Sequence, residues 1–169
     1  MAKSLAKSDW SFKTAVELSR ALAARKVSAV ELAQDTIGRI ERHDGKINAI
    51  CVRDFERGLA SARVADAALA RGETRPLLGI PMTVKESFNV AELPTTWGFP
   101  AQKDFIAAED ALPVSRVKDA GGVILGKTID GLHQAMELAL IAMIGVHVAA
   151  ALAHRWIYRD RIMQRMLPG

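Results

Sequence analysis

Residues 77–85 read Leu-Leu-Gly-Ile-Pro-Met-Thr-Val-Lys, a short apolar run that ends on a lysine. A run of apolar and β-branched residues bounded by turn residues predicts a buried strand. A second such run, Gly121-Gly-Val-Ile-Leu-Gly126, predicts another strand. Between them, Asp110 is a candidate helix N-cap and Pro113 is tolerated in a first turn, which predicts a helix over residues 115–120. Strand, crossover helix and strand together indicate part of an α/β sheet.

The segment before this sheet is predicted to be mainly helical. Capping boxes at residues 14–17 and 28–31, in which a hydroxyl and a carboxylate satisfy amide donors, predict two helix starts. The second helix is expected to end near residues 43–45, where His-Asp-Gly supplies a stop with glycine at the left-handed position. Residues 48–52 are a short extended candidate, and a third helix is predicted from Phe55 to Ala70.

The C-terminal segment has a different character. Residues 136–153 are almost continuously apolar, and four arginines follow them in quick succession, at 155, 159, 161 and 165. An apolar span of about twenty residues with a basic flank is the usual form of a membrane helix. We therefore expect two regions, residues 1–129 and residues 130–169, the second being one transmembrane-type helix with a basic tail.

Composition narrows the classes of function. The 169 residues carry 23 Lys+Arg against 19 Asp+Glu, a mild excess that argues against nucleic acid as a partner. A single cysteine, Cys51, excludes an internal disulfide and a cysteine-based metal site, and no metal is expected. The N-terminus lacks the apolar core of a signal peptide. The expected location is the cytoplasm or, through the C-terminal helix, the inner membrane.

The first strand and the loop after it carry a family resemblance. Residues 78–98, Leu-Gly-Ile-Pro-Met-Thr-Val-Lys-Glu-Ser-Phe-Asn-Val-Ala-Glu-Leu-Pro-Thr-Thr-Trp-Gly, resemble the first hallmark of the amidase-signature family. Similar residues recur on both sides, at 17–18, 27–31, 47–49, 65–66, 109–111 and 121–128. The resemblance implies a mixed α/β amidase-signature sheet, incomplete in this chain.

The resemblance also implies a catalytic role for Lys85. In this family an unprotonated lysine, a serine held through a cis peptide and a nucleophilic serine form a triad that hydrolyses carboxamide C–N bonds without a cofactor. The lysine that ends the strand matches Lys85, and burial could lower the pKa of such an amine. The alternative is a lysine that only reaches from a strand end into water. Both serines belong to a Gly/Ser-rich segment expected beyond Thr128, which this sequence lacks, so the isolated chain is expected to be inactive on a small amide substrate.

The C-terminal segment resembles a second family. Residues 132–133, 147–154, 159–160 and 165–168 are similar to the last transmembrane helix and tail of bacterial cytochrome b-561. That resemblance implies that His133 and His147 are axial ligands of haem b, with partner helices that supply the opposing histidines. Fourteen residues make close to four helical turns, about 21 Å, so both imidazoles would share a face. The alternative is polar histidines packed in a helical bundle.

Three hypotheses stay open from the sequence. The first is an amidase-derived hydrolase fragment that needs serines from another polypeptide. The second is a membrane-anchored haem-binding or electron-transfer subunit that needs partner helices. The third is a non-functional product of two gene remnants joined near residues 128–131.

Overall fold

The structure is a computed structural model that describes residues 10–129 and 131–156; within the last helix, side chains are described for 138–154 and 156. The chain divides into two compact units, Met1–Ile129 and Asp130–Gly169. In the described part of the first unit the α-helices are α1 (Ala15–Ala23), α2 (Ala29–Ile47), α3 (Phe55–Ala70) and α4 (Leu112–Asp119), and the strands are β1 (Ile50–Arg53), β2 (Pro81–Lys85) and β3 (Val123–Thr128). A short 3-10 helix covers Pro100–Gln102, and the second unit contains α5 (Gly131–Trp156).

The three strands form a mixed sheet in the order β1-β3-β2. Strand β2 pairs with β3 in parallel, and α4 lies in the crossover between them, as the sequence predicts. Strand β1 pairs with β3 antiparallel on the other side. The mixed α/β class predicted from the sequence is confirmed, and its central strand is β3.

Both predicted capping boxes are formed. The Thr14 hydroxyl accepts from the Glu17 amide at 3.2 Å, and the Glu17 carboxylate accepts from the Thr14 amide at 2.8 Å. Ser28 and Glu31 repeat this arrangement at the start of α2. The Asp66 carboxylate on α3 also accepts from two amides at the same end of α2, that of Ala29 at 2.7 Å and that of Val30 at 3.1 Å. This contact fixes α3 against the start of α2, where four amides lack partners within the helix.

The main core lies between α2, α3 and the sheet. Small residues allow these elements to approach closely, since Ala29, Ala33 and Ala62 are fully buried. At Gly58 of α3, an added Cβ would lie 2.6 Å from the Leu125 side chain, so α3 packs directly on β3. This close packing accounts for the many alanines of α3, because small side chains let the helix approach the sheet, although each alanine buries little apolar area.

Helix α2 runs further than the sequence predicts. It continues through residues 43–45 to Ile47, and Asn48 ends it in the left-handed conformation with φ 53°. The Asp44 carboxylate accepts from the amides of Ala49 at 2.8 Å and Ile50 at 3.0 Å, and it pairs with Arg53 at 3.1 Å. The prediction of an end at Gly45 was wrong because Asp44 stabilises the chain beyond the helix, a contact that a scan for terminal glycines does not register.

The second unit contains a helix, as predicted, but its membrane-spanning character is not supported. Over the residues described, no helix combines the length and apolar content needed to cross a membrane. A span needs about 20 predominantly apolar residues. The transmembrane-type helix predicted from the sequence is therefore not supported, and the second unit is described as the α-helix α5.

A substitution at Gly126 tests how closely β1 packs on β3. It has φ +147° at the register shift between β2 and β3, and an added Cβ would collide with the carbonyl oxygen of Val52. We expect Gly126→Ala to lower the free energy of unfolding by roughly 2 kcal/mol or more. The measurement is urea unfolding of the full chain. Gly45→Ala is the matched control, because nothing lies within 4 Å of its Cβ and it sits inside α2; it should raise stability by about 0.5–1 kcal/mol. Equal losses for both variants would contradict this account.

Asp44 gives the fold a defined response to acid. The amide of Ile50 lowers the pKa of the Asp44 carboxyl, and the Ala49 amide and Arg53 add to this effect against the opposing effect of burial. A carboxyl whose pKa is lower in the folded state stabilises the fold above its unfolded pKa, near 3.8, and this stability is lost as pH falls through the folded value. Asp44→Asn should therefore reduce stability at pH 7 and flatten its decline below pH 4, in urea titrations at several pH values. Asp104→Asn, at an exposed carboxylate, should leave the acid slope unchanged.

Candidate active site

Lys85 is the last residue of β2 and lies opposite Thr128 of β3. Its side chain is exposed in the structure. The burial that the sequence leads us to expect for this lysine is not present in the described part of the chain. The position at a strand end is as predicted, so Lys85 stays a catalytic candidate on its place in the motif.

A different lysine is buried beside it. Lys127 of β3 is 0% exposed, and its ammonium group donates to the carbonyl oxygen of Pro94 and to the hydroxyl of Thr95 at 2.8 Å. The Glu86 carboxylate lies 3.9 Å from the Lys127 nitrogen. Burial lowers the pKa of Lys127, and the negative charge of Glu86 opposes that effect. Sequence reasoning missed this residue, although a lysine directly after the apolar run 121–126 was a sign that the strand buries a charge.

Glu86 and Lys127 fix the loop that follows Lys85. The Glu86 carboxylate accepts from the amides of Thr96 at 2.5 Å and Trp97 at 3.1 Å. Trp97 itself has φ 52°, a left-handed conformation that is unusual for a bulky residue. Because Lys127 binds residues 94 and 95 and Glu86 binds residues 96 and 97, the segment 94–97 is held at both ends. A fixed loop therefore follows the strand end that carries Lys85.

A second ion pair, between Asp110 and Lys118, fixes the loop between β2 and α4. The Asp110 carboxylate accepts from the amide of Ala91 at 2.8 Å and pairs with Lys118 of α4 at 2.7 Å. Burial would raise the pKa of the Asp110 carboxyl, but the hydrogen bonds from Lys118 and Ala91 outweigh it and the net pKa is lowered. The sequence predicted Asp110 as an N-cap, yet α4 begins at Leu112 after Ala111 and has no side-chain cap. Asp110 instead fixes the loop to α4.

The two candidate haem ligands are not brought to a described site. The backbone of His133 lies in α5, but its side chain falls outside the described side chains, and His147 is exposed on the same helix. Within the described residues, no group of three or more His, Cys, Asp or Glu side chains is arranged to hold a metal ion. The prediction of haem b bound through His133 and His147 is not supported.

Comparison with known proteins identifies the first unit. The family model described as Amidase matches residues 31–134, which include β2, Lys85 and Lys127. The chain belongs to the amidase family. This match ends at residue 134, and the resemblance of the C-terminal segment to cytochrome b-561 is without support.

Curated relatives extend the match at the level of sequence. The part of the chain that matches the amidase family, here called the amidase region, is 47% identical over 112 residues to the A-subunit of glutamyl-tRNA(Gln) amidotransferase from Azoarcus sp. (strain BH72). This alignment covers 66% of this chain and 23% of that protein. It is 42% identical over 122 residues to the protein of the same name from Acidothermus cellulolyticus, which covers 72% of this chain and 24% of the relative. The chain spans about a quarter of the length of these relatives.

Solved structures share the fold of the amidase region. A protein from a vestigial complex related to the origin of an s-triazine catabolic enzyme matches with a TM-score of 0.66 and 35% identity, over 69% of this chain and 26% of its own. The peptide amidase of Stenotrophomonas maltophilia matches with a TM-score of 0.67 and 28% identity, over 71% of this chain and 25% of its own. The amidase-signature resemblance of the N-terminal part is therefore confirmed.

The contribution of the buried Lys127 to stability can be compared with that of Lys118, a lysine that also pairs with a carboxylate. Lys127→Met leaves the acceptors at Pro94, Thr95 and Glu86 without their buried donor, so we expect a loss of roughly 1–3 kcal/mol in the free energy of unfolding. Lys118→Met is the matched control, because that lysine also pairs with a carboxylate but its side chain is 39% exposed; about 0–1 kcal/mol is expected. Urea unfolding of both variants measures the difference. Equal losses of stability in the two variants would show that burial does not make the contacts of Lys127 more stabilising than those of Lys118.

Proposed function

We propose that this chain supplies the lysine-bearing part of an amidase site and contributes to carboxamide hydrolysis only together with a serine-bearing polypeptide. The observation that supports the proposal is the position of Lys85 at the end of β2, inside the matched region and next to the loop that Glu86 and Lys127 hold. The family match and the relatives named as amidases and amidotransferase subunits support carboxamides as the substrate class.

The chemistry assigned to Lys85 requires a neutral amine. A lysine amine that is neutral can accept the proton of a serine, which makes the serine oxygen nucleophilic toward the carbonyl carbon of the amide. The acyl-enzyme forms as the C–N bond breaks and the amine departs with a proton, and water then releases the acid.

The test reconstitutes the site. The full chain is co-expressed with the Azoarcus amidotransferase protein from which the matching quarter has been deleted, and ammonia release from a small primary carboxamide is followed. We expect no turnover by either part alone, turnover by the pair, and a loss of at least about 100-fold in kcat for Lys85→Ala. The control is Lys103→Ala, a lysine that is 76% exposed, which should leave kcat unchanged.

Two results would overturn the proposal. Turnover by the isolated chain would show that the serines are not needed from outside. Turnover by the pair that survives Lys85→Ala would remove Lys85 from the site. The remainder co-expressed with its own first quarter serves as the positive control for a competent serine-bearing part.

A further inference from the structure

Trp97 lies at the tip of a tight turn in the loop that follows Lys85. The Phe99 amide donates to the Thr96 carbonyl at 2.9 Å, which closes the turn. Its two central residues, Trp97 and Gly98, have φ values of 52° and 72°. Positive φ at both central positions is the pattern of a type I′ turn, in which glycine, asparagine and aspartate predominate.

Tryptophan is an unfavourable residue for the first of these positions. A bulky side chain in the left-handed conformation strains the backbone, whereas asparagine adopts that conformation readily. Burial of the indole offsets this strain only in part, because Trp97 is 60% exposed. A strained residue that its surroundings hold in place is a reason to look for a function of its side chain.

Hydrogen bonds hold this turn next to the end of β2. The Glu86 carboxylate accepts from the amides of Thr96 at 2.5 Å and Trp97 at 3.1 Å. Glu86 follows Lys85 directly in sequence. The Thr96 hydroxyl also accepts from the Gly98 amide at 3.2 Å. The exposed indole is therefore carried by a fixed backbone beside the strand end at which Lys85 stands.

Two further exposed aromatic side chains stand on the same part of the loop. Phe99, which ends the turn, is 62% exposed, and Phe105 is 43% exposed. The Phe105 carbonyl accepts from the Thr95 amide at 3.2 Å, so its backbone is also tied to the segment before the turn. Exposed aromatic groups on an ordered backbone suit a planar apolar ligand, because aromatic rings attract one another beyond the effect of the area they bury.

We infer that Trp97 is a specificity-determining residue and that its indole forms a subsite for the aromatic group of a primary carboxamide. The ring of a benzamide-type ligand packs on the indole, and its carboxamide group extends toward the end of β2. A saturated ring of the same size lacks the aromatic attraction. This inference rests on the proposed function, because it names the class of carboxamide that the same site takes.

The first test follows the indole in the full chain. The protein is labelled with 5-fluorotryptophan, the Trp97 resonance is assigned through its loss in Trp97→Phe, and benzamide and cyclohexanecarboxamide are titrated separately. We expect benzamide to shift the Trp97 resonance and to bind about threefold or more tightly than the saturated amide. Trp156 is an internal control, because it is 70% exposed but does not lie in the turn, and its resonance should not shift.

Three results of this titration would overturn the subsite. Equal shifts at Trp97 and Trp156 would show that benzamide stacks on any exposed indole. Equal affinities for benzamide and cyclohexanecarboxamide would show that only apolar area is recognised. A Trp97 resonance that shifts with protein concentration and no longer responds to benzamide would show that a second copy of the chain covers the indole.

A pair of variants separates the side chain from the turn. Trp97→Asn provides a residue that type I′ turns favour, so the Phe99 amide should stay protected from hydrogen exchange. Saturation transfer from the protein to benzamide should nevertheless fall about threefold or more. Trp97→Phe keeps an aromatic ring and should retain most of the transfer. Undiminished transfer to benzamide in Trp97→Asn would contradict the inference.

Binding and turnover separate this inference from the proposed function. Selective binding of benzamide at Trp97, with no ammonia release in the reconstituted site, leaves the subsite in place and overturns the proposed function. Ammonia release that depends on Lys85 but has the same kcat/KM for benzamide and cyclohexanecarboxamide supports the function and overturns the subsite. Where both hold, Trp97→Asn should reduce the preference for benzamide about threefold or more through KM, with kcat unchanged.

Discussion

A charged amine in the middle of the sheet constrains the fold around it. Lys127 lies on β3, the central strand, and is fully buried. Removing an ammonium group from water is costly unless hydrogen bonds and an opposite charge replace its hydration. The carbonyl of Pro94, the hydroxyl of Thr95 and the carboxylate of Glu86 do so. These three partners all belong to the loop after β2, so satisfying one buried charge also determines where that loop lies.

This constraint connects the core to the candidate site. Glu86 follows Lys85 directly in sequence, and its carboxylate both faces Lys127 and accepts from the amides of Thr96 and Trp97. A shift of β3 would therefore move the loop, and a shift of the loop would move the end of β2. The parallel pairing of Lys85 with Thr128 also links the end of β2 to β3 through the backbone. The position of Lys85 is thus determined by packing and by buried hydrogen bonds rather than by its own side chain.

The features that the sequence predicts are those encoded locally. Capping boxes depend on residues three apart, and β2 and β3 depend on short apolar runs, so both could be predicted. The burial expected of both strands holds for residues 123–127 of β3, whereas β2 is half-buried. The end of α2 depends on Asp44 contacts with Ala49, Ile50 and Arg53, and a pattern scan gives such side-chain contacts no weight. The antiparallel pairing of β1 with β3 joins residues more than seventy positions apart, and periodicity cannot supply that pairing. At the site, the motif predicted where Lys85 lies, but its exposure and the burial of Lys127 depend on which strands flank the sheet.

Exposure of Lys85 and exposure of β2 have one physical origin. A strand at the edge of a sheet is uncovered on one side, and a side chain at its end shares that environment. Lys85 is the last residue of β2 and lies opposite Thr128 of β3, so the backbone pairing fixes its position while the open edge leaves its side chain exposed.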